Sequence, residues 1–496
     1  MIFLMFIGFF TSRLLLQLLG VEDYGIYSLV GSVLASFSAL KSIFTESIQR
    51  FLNFEKGNES IEKQRDIYTM SIYIHIVLAI ALFIIIELIG TWLINFKLVI
   101  PEEKLPITLF VFHVSVISVI FSILSITFDA VIIANERMDV YAYFSIFEGV
   151  FKVVVLLILP KFDVVHLRMY ALALMFCPIF YLIVSYRFTR RFAECKIQKH
   201  LNKEMFKSVA LLSGWNFFGN ISFSILHEGI NFILNAFGGL VYNAARGIAY
   251  QIKSIVAQVS NNMLIAARPM IMQRAASDGK EDLFRNIITI SRLSFFLMLL
   301  TVAPIITFTP SLLSIWLKDV PEYSDIFTKI VLIGILIRSL HEPINILYMS
   351  NGNIKRMMII EVVTMLSSII LIYVLLASGY PMITAFIILT LMEVMIILAL
   401  FINAIYEIHF LAKEYIVQVL VPMSVMIAIF LLISIGFSHL NFPASFVSTL
   451  LQIAIFELLL IGILILFLNS RERALFINIF NRISLLKKLK SNSLTK

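Results

Sequence analysis

The sequence predicts an all-α polytopic membrane protein, from its composition and from the length of its apolar runs. Of 496 residues, 60% are hydrophobic and 14% are charged, whereas a typical soluble domain is about 45–50% apolar and about 25% charged. So few charges could not cover so much apolar surface in water. The composition excludes a soluble enzyme, a secreted disulfide scaffold, a disordered chain and a nucleic-acid binder. Cys177 and Cys195 lie in an apolar run and a basic loop, so no disulfide is expected.

Apolar runs of about 20 residues, the length that crosses a bilayer as a helix, recur along the whole chain. They predict fourteen spans, near 2–19, 25–48, 68–95, 105–130, 141–159, 168–187, 208–236, 240–267, 287–309, 325–349, 357–378, 381–404, 415–437 and 445–469. An even number places both termini on one face. Met1 begins the first run without a basic leader or a following cleavage site, so this run is expected to be a true span rather than a signal peptide.

The distribution of Lys and Arg predicts the orientation, because basic loops stay on the cytoplasmic side. The loops and the tail on the side of the termini carry 26 of these residues, whereas the opposite loops carry six. Both termini are therefore expected to be cytoplasmic. Residues 471–490 interleave basic with apolar side chains, which suits either a helix lying on anionic lipid or a frayed basic tail.

The longest polar stretch divides the chain. We expect a six-helix lobe at 1–187, a basic cytoplasmic linker at 188–207, a second six-helix lobe at 208–404, two extra helices at 405–469 and a basic cytoplasmic tail at 470–496. A weak repeat agrees, since Gly20, Tyr24 and Arg50 recur as Gly238, Tyr242 and Arg268 at an offset of 218. Repeats with an even number of helices are parallel, which predicts two pseudo-symmetric bundles facing a central cavity. No nucleotide-binding loop, HExxH motif or metal-ligand cluster occurs in the sequence.

Two predicted helices on either side of position 238 carry polar faces. The seventh presents Asn216, Asn220, Ser224, Glu228, Asn231 and Asn235, and the eighth presents Asn243, Arg246, Tyr250, Lys253, Ala257 and Asn261, spaced by three or four residues. Such spacing puts each set on one side of its helix. Two interpretations are open. The stripe lines a water-filled, cation-rich cavity, or its amides hold neighbouring helices together.

Seven basic residues fall within predicted spans, where charge is costly and normally faces a cavity or a partner. They are Arg13, Lys41, Lys152, Arg246, Lys253, Arg292 and Arg338. The pairs Glu148/Lys152 and Arg338/Glu342 have a spacing of four residues, at which opposite charges neutralise each other. Arg13, Lys41 and the acidic Glu393 and Glu457 have no obvious partner at helical spacing. A basic cavity suits an anionic cargo such as a phosphate or pyrophosphate headgroup, whereas an exporter of cationic drugs would need acids and an aromatic box.

Seven stretches carry a family resemblance. They are LLGVEDYGIYSLVGSV (18–33), RFLNFEKGN (50–58), IIANERMDVYAYFSIFEGVFK (132–152), NFILNAFGGLVYNAARGIAYQIKS (231–254), ARPMIMQRAASD (267–278), SIWLKDVPEYS (314–324) and SNGNIKR (350–356). Through them the chain resembles the Wzx-type flippases that translocate O-antigen and capsule repeat units. That family belongs to a superfamily, called MOP, that also contains the MATE multidrug exporters and the lipid II flippase.

The resemblance implies a two-lobed, MATE-like bundle of twelve to fourteen helices in the bacterial inner membrane, working by alternating access without a cofactor. The cargo would be an oligosaccharide on undecaprenyl pyrophosphate, and a proton or sodium gradient would drive the cycle without ATP. The implied partners are membrane lipids, a polysaccharide polymerase and glycosyltransferases. The candidate substrate-binding residues are Arg13, Lys41, Asn220, Glu228, Asn231, Asn243, Arg246, Lys253 and Arg338. The pyrophosphate would enter the cavity while the polyprenyl tail stays in lipid between helices.

Two other functions compete with this hypothesis. One is a MATE-like exporter of cationic drugs, and the other is a membrane scaffold for a glycosyltransferase complex. The sequence departs from the family pattern at its start. The first span begins at residue one, whereas relatives usually have a short basic leader, so we expect a misassigned or truncated start.

Overall fold

The computed structural model describes residues 2–198, 228–277, 280–350, 354–439, 446–469 and 472–473. Within these ranges the chain is α-helical, with short 3-10 and π turns and no strand. Ten helices of this part are long and apolar enough to cross a membrane. They correspond to predicted spans three to six and nine to fourteen. The protein is an all-α, multi-pass membrane protein, as its composition predicts.

The described residues of the first part of the chain form seven helices. These are α1 (Ile2–Gly57), α2 (Ile61–Phe96), α3 (Leu105–Leu124), α4 (Ile126–Ala134), α5 (Met138–Ile158), α6 (His166–Thr189) and α7 (228–238). Nine more follow: α8 (Leu240–Ser277), α9 (Lys280–Thr307), α10 (Thr309–Trp316), α11 (Ser324–Ser350), α12 (Ile354–Ala377), α13 (Ile383–Asn403), α14 (Ala412–Tyr415), α15 (Val421–Ser438) and α16 (Phe446–Phe467). Residues 208–227 of the predicted seventh span, including Asn220, lie outside the described residues.

Helix α1 includes the two spans predicted at 2–19 and 25–48, and the boundary expected between them is present as a kink. It continues from Ile2 to Gly57 with a break at Gly20, whose φ is 75°. This left-handed conformation is open to glycine because it has no Cβ. Conversely, the single span predicted at 105–130 is divided at Ser125 into α3 and α4. The Ser125 hydroxyl donates to the Ser122 carbonyl, a local bond that competes with the helical ladder and bends helices.

The chain forms two compact units. Unit 1 contains Met1–Tyr250, Trp316–Phe327 and Met365–Ala385, and unit 2 contains Gln251–Ile315, Thr328–Thr364 and Phe386–Lys496. In unit 1, residues of α1 to α4 and α6 share a buried apolar core, in which Ile26, Val116 and Ala130 are completely enclosed. Helix α5 is different, because only Gly149 and Leu156 of its residues are buried. Of its other residues, Phe144, Glu148 and Lys152 line the chamber described below, and several apolar side chains are exposed.

A close approach between α1 and α8 fixes the second half of α1 inside unit 1. A Cβ added at Gly25 would collide with the backbone carbonyl of Leu240, and one at Gly247 would press on the Ser28 side chain. Small residues allow membrane helices to approach closely, which compensates for the absence of a hydrophobic driving force between them in lipid. Gly25 and Gly247 therefore set the distance between these two helices.

Candidate functional site

Unit 1 encloses a chamber of about 440 Å³ between α1, α3, α5 and α6. Its polar lining is unusual for a bundle of membrane helices and consists of Tyr27, Lys41, Ser115, Ser118, Ser122, Glu148, Lys152, Tyr170 and Tyr181. Charged groups at such depth normally line a water-filled cavity or pair with one another. The chamber is therefore the candidate site for a polar ligand.

Lys41 reaches the chamber from α1 and is held by a residue of α4. Its Nζ lies 2.8 Å from Asp129 Oδ2, with Asp129 fully buried and Lys41 26% exposed. Two further groups bind the same carboxylate, since the Tyr181 hydroxyl donates to Oδ1 and the Ser125 hydroxyl donates to Oδ2 at 3.4 Å. Lys41 also lies 4.9 Å from the centre of the Tyr181 ring. Sequence reasoning missed Asp129, although a lone carboxylate inside a predicted span was the signal.

A second charge pair lies on α5. Glu148 Oε1 and Lys152 Nζ are 2.6 Å apart, as their spacing of four residues predicts. Both side chains line the chamber. The lining thus carries two ammonium groups and one carboxylate, while the second carboxylate, Asp129, lies behind Lys41 and is not part of the surface.

Hydrogen-bonding groups of α3 and α6 complete the lining. Ser115, Ser118 and Ser122 lie on one side of α3. On α6, Pro178 has no N–H, so the Leu174 carbonyl lacks its helical donor, and both residues line the chamber. A free backbone carbonyl at membrane depth is tolerated where it faces a cavity. These groups offer acceptors and hydroxyls for a ligand, and the proline inside an apolar run was a sequence signal that was not used.

The described part of the polar stripe on α7 and α8 lies away from the chamber and is bonded internally. Asn243 donates to the Asn231 carbonyl at 2.8 Å and to Asn231 Oδ1 at 2.7 Å, and it accepts from Asn235 at 2.8 Å. Asn231 also donates to the Ser28 carbonyl at 3.1 Å. All three asparagines are fully buried. These contacts of the asparagine network (Asn231, Asn235 and Asn243) match the packing interpretation. The cavity interpretation stays a prediction, because the first part of the stripe lies outside the described residues.

The remaining predicted site residues are distributed over both units. Arg246 is 4% exposed, lies 3.2 Å from Glu228 and packs 4.0 Å from the centre of the Tyr250 ring. Arg13 is exposed on α1, and Lys253 is half-buried on α8. Of the predicted site residues that the structure describes, only Lys41 is among those that line the chamber, together with Glu148 and Lys152, whose pairing the sequence predicts.

Unit 2 contains a separate charge network on α11, α12 and α13. Arg338 lies 3.6 Å from Glu342, as the spacing of four residues predicts, and 3.1 Å from Glu393. Glu393, which has no partner at helical spacing in the sequence, is thus paired with a residue of another helix. His341 Nε2 lies 2.9 Å from Glu361 Oε1, and the Asn345 amide donates to the same oxygen at 3.3 Å.

Another intramembrane arginine of unit 2 binds the end of α16. Arg292 donates to Glu472 Oε1 at 2.7 Å, to the Phe467 carbonyl at 2.7 Å and to the Gln418 carbonyl. Glu472 in turn accepts the backbone N–H of Asn469 at 2.8 Å. Arg292 and Glu472 are both buried, so this arginine connects α9 with the segment after α16.

Solved structures are similar to the chain over most of its length. The lipid II flippase MurJ in an inward closed conformation has a TM-score of 0.72 and 12% identity, covering 93% of this chain and 97% of that one. A multidrug resistance MATE transporter of the MOP superfamily, inward-facing, has a TM-score of 0.71 and 13% identity, covering 82% and 94%. The chain has the MATE-like fold of these transporters. The outward-facing MATE transporter has a TM-score of 0.55.

No family model matches the chain, and no curated protein sequence matches it. The similarity therefore concerns the MATE-like fold, and the roles of individual residues rest on the contacts described above.

Proposed function

We propose that the protein is a MOP-type flippase that carries an oligosaccharide on undecaprenyl pyrophosphate from the cytoplasmic to the outer leaflet by alternating access. The observation that carries this proposal is the chamber of unit 1, which combines Lys41 and Lys152 with hydroxyl groups inside a membrane bundle. A sugar pyrophosphate cannot cross hydrocarbon unaided, because each unpaired polar group costs several kcal/mol there. A polar chamber removes that barrier.

The two lysines suit a pyrophosphate because each already lies beside a carboxylate that the ligand would replace. Lys41 leaves Asp129 for a phosphate oxygen, and Lys152 leaves Glu148. Asp129 keeps the Tyr181 hydroxyl as a hydrogen-bond donor and the Ser125 hydroxyl at 3.4 Å. It therefore keeps these hydrogen-bond donors when Lys41 turns away, which lowers the cost of the exchange. Without cargo, the same pairs neutralise the empty chamber.

The sugar part of the cargo needs uncharged hydrogen-bonding groups. The hydroxyl oxygens of Ser115, Ser118 and Ser122 on α3 and the Leu174 carbonyl on α6, which has no N–H donor from Pro178, supply hydrogen-bond acceptors. Similarity to the lipid II flippase MurJ over 93% of this chain supports a lipid-linked cargo. The same proposal places the protein in a bacterial inner membrane with cytoplasmic termini. It also includes coupling to protons or sodium and partnership with a polymerase and glycosyltransferases. The proposal further assigns roles in other steps of the cycle to Arg13, Arg246, Lys253, Arg338 and the asparagines.

The test is transport of fluorescent undecaprenyl-pyrophosphate oligosaccharide in proteoliposomes. Lys41→Ala and Lys152→Ala should each abolish flipping, whereas Lys161→Ala, an exposed lysine beyond the end of α5, should not change it. The double variant Lys41→Ala/Asp129→Asn leaves no uncompensated buried carboxylate, so it folds without a cation at this position and should also be inactive. Normal flipping by folded Lys41→Ala/Asp129→Asn and Lys152→Ala proteins would refute the proposal.

A second candidate function is export of cationic drugs, and the composition of the chamber wall favours it. Tyr27, Phe144, Tyr170 and Tyr181 line the same chamber as Glu148, and aromatic faces with a carboxylate bind organic cations. This function predicts that Glu148→Gln loses drug resistance while Lys152→Ala keeps it. The flippase predicts the opposite order of sensitivity and unchanged drug susceptibility in a deletion strain.

A further inference from the structure

Helices α5 and α6 meet through aromatic rings, in a set of contacts that we call the aromatic seam (Phe144, Phe147, Phe151, Phe176, Phe180 and Tyr181). Three pairs cross from helix to helix: Phe144–Tyr181 with ring centres 4.2 Å apart, Phe147–Phe180 at 4.9 Å and Phe151–Phe176 at 5.4 Å. Along the helices, Phe147 stacks on Phe151 at 5.8 Å and Phe176 on Phe180 at 5.6 Å. The rings therefore form one continuous patch.

The patch has two sides. Phe144 and Tyr181 line the chamber, whereas Phe147 is 37% exposed and Phe176 is 45% exposed on the outside of unit 1. Glu148 and Lys152, which also line the chamber, follow Phe147 and Phe151 directly in α5. A ligand with its charged group in the chamber thus has an apolar, ring-covered surface within reach of its other end.

We propose that the aromatic seam is the docking site for the polyprenyl tail of the cargo, whose pyrophosphate occupies the chamber. The inference rests on the proposed function and adds the location of the tail. Two observations select this occupant. The seam is continuous with the chamber through Phe144 and Tyr181. The ammonium groups of Lys41 and Lys152 lie on the chamber side, each beside a carboxylate that an anionic head would replace. The seam and chamber together therefore fit one amphiphile with an anionic head and an apolar tail.

The chemistry of the rings favours a polyprenyl chain over an acyl chain. Aromatic faces carry partial negative charge and bind hydrogen atoms at their surface. A polyprenyl chain has a methyl branch and a planar double bond in every unit, so it presents flat segments and many allylic hydrogens to the rings. A saturated acyl chain is flexible and loses more entropy when it is held on a fixed surface.

The first experiment measures docking of the lipid by photo-cross-linking and does not depend on transport. Benzoylphenylalanine replaces Phe176 or, as a matched control, Phe83 on α2, which is 39% exposed. The protein is irradiated in vesicles containing labelled undecaprenyl phosphate or labelled phosphatidylglycerol. We expect the yield of undecaprenyl cross-links to be about fivefold higher at Phe176 than at Phe83. This ratio corresponds to the free energy of about one aromatic contact. Phosphatidylglycerol should label both positions equally. Equal undecaprenyl labelling at both positions would overturn the inference, because the seam would then be an ordinary lipid-facing surface.

The second experiment compares cargo with a full-length tail and cargo with a two-isoprene tail. The variant Phe147→Leu/Phe176→Leu/Phe180→Leu keeps an apolar surface without rings. We expect it to lower the rate for the long tail by about fivefold or more and to leave the rate for the short tail unchanged. An equal loss for both tails contradicts docking on the seam. If the unmodified protein flips neither cargo, the proposed function fails, and the cross-linking result still decides docking.

Discussion

Lys41 on α1 and Asp129 on α4 form an ion pair with 2.8 Å between Nζ and Oδ2. The two partners are unequal, because the carboxylate is fully buried while the ammonium group borders the chamber. Removing one partner of a buried pair leaves a charge that only the other partner compensated. The pair therefore predicts an asymmetric response to substitution.

Lys41→Ala should destabilise the protein by about 3–5 kcal/mol, because it leaves the buried carboxylate of Asp129 with hydroxyl donors but without its cation. Asp129→Asn should destabilise the protein less than Lys41→Ala does, since Lys41 can turn into the polar chamber. The double variant Lys41→Ala/Asp129→Asn should recover most of the loss. Melting temperatures in detergent measure all three. An equal loss in both single variants, with no recovery in the double variant, would contradict this interpretation of the pair.

The asparagine network provides a test between helix packing and cavity lining. Asn243→Ala leaves the Asn235 amide N–H without its acceptor and the Asn231 Oδ1 and backbone carbonyl without the Asn243 donor, which should destabilise the protein by about 1–3 kcal/mol. If the network serves packing, transport per folded molecule stays unchanged. The exposed Asn95→Ala, whose side chain bonds only to its own helix within the described contacts, is the control. Normal melting together with lost transport would assign Asn243 to a cargo cavity instead.

Arg292 predicts a local effect on the end of α16. Arg292→Ala leaves buried Glu472 without its cation and removes the donors to the Phe467 and Gln418 carbonyls, so we expect a loss of about 3–5 kcal/mol. Trypsin should then cleave faster after Arg473. Arg285→Ala on the same helix removes only an exposed pair, 3.9 Å from Glu281, and should change neither property. Cleavage at the normal rate in the Arg292→Ala protein would show that this arginine does not hold the segment.

Gly25 predicts a steric effect. Gly25→Ala places a methyl group against the Leu240 carbonyl and should destabilise unit 1 by about 1–3 kcal/mol through overpacking. At Gly31 on the same helix, a Cβ meets no heavy atom of the described residues within 4 Å. Gly31→Ala should therefore be neutral or stabilising by up to about 1 kcal/mol. Thermal melting distinguishes the two, and equal melting temperatures would exclude a tight contact at Gly25.

Cys195 follows α6 outside the membrane-spanning segments, and burial, with a smaller contribution from the Glu194 carboxylate, raises the pKa of its thiol to about 12. The reactive thiolate is thus scarce at pH 8, below this pKa. In a Cys177→Ser background, maleimide should modify Cys195 at least about tenfold more slowly than an exposed thiol. The control is Arg191→Cys with Cys195→Ser, in the same loop. Unfolding in detergent should make the rates equal, and equal rates in the folded protein would contradict burial.

The predictions from sequence succeeded where the information was local. Ten spans coincide with apolar runs, because a bilayer demands about 20 apolar residues whatever lies beside them. Glu148/Lys152 and Arg338/Glu342 were identified from a spacing of four residues, since the helix itself brings such side chains together. The break at Gly20 coincides with the predicted boundary between the first two spans, where Glu22 and Asp23 interrupt the apolar run. The break at Ser125 was missed, because the apolar residues on both sides of it predict one continuous span.

The sequence by itself determined the class of the protein, the places of most helices and the pairs formed within one helix, because these depend on composition and on neighbours three or four residues away. Only the tertiary structure decided which intramembrane charges meet. Asp129 with Lys41, Glu393 with Arg338 and Glu472 with Arg292 each join residues far apart in the chain. Their proximity follows from how the helices pack, so the spacing of residues along the sequence does not predict it. The same packing collects Lys41, Glu148 and Lys152 around one chamber.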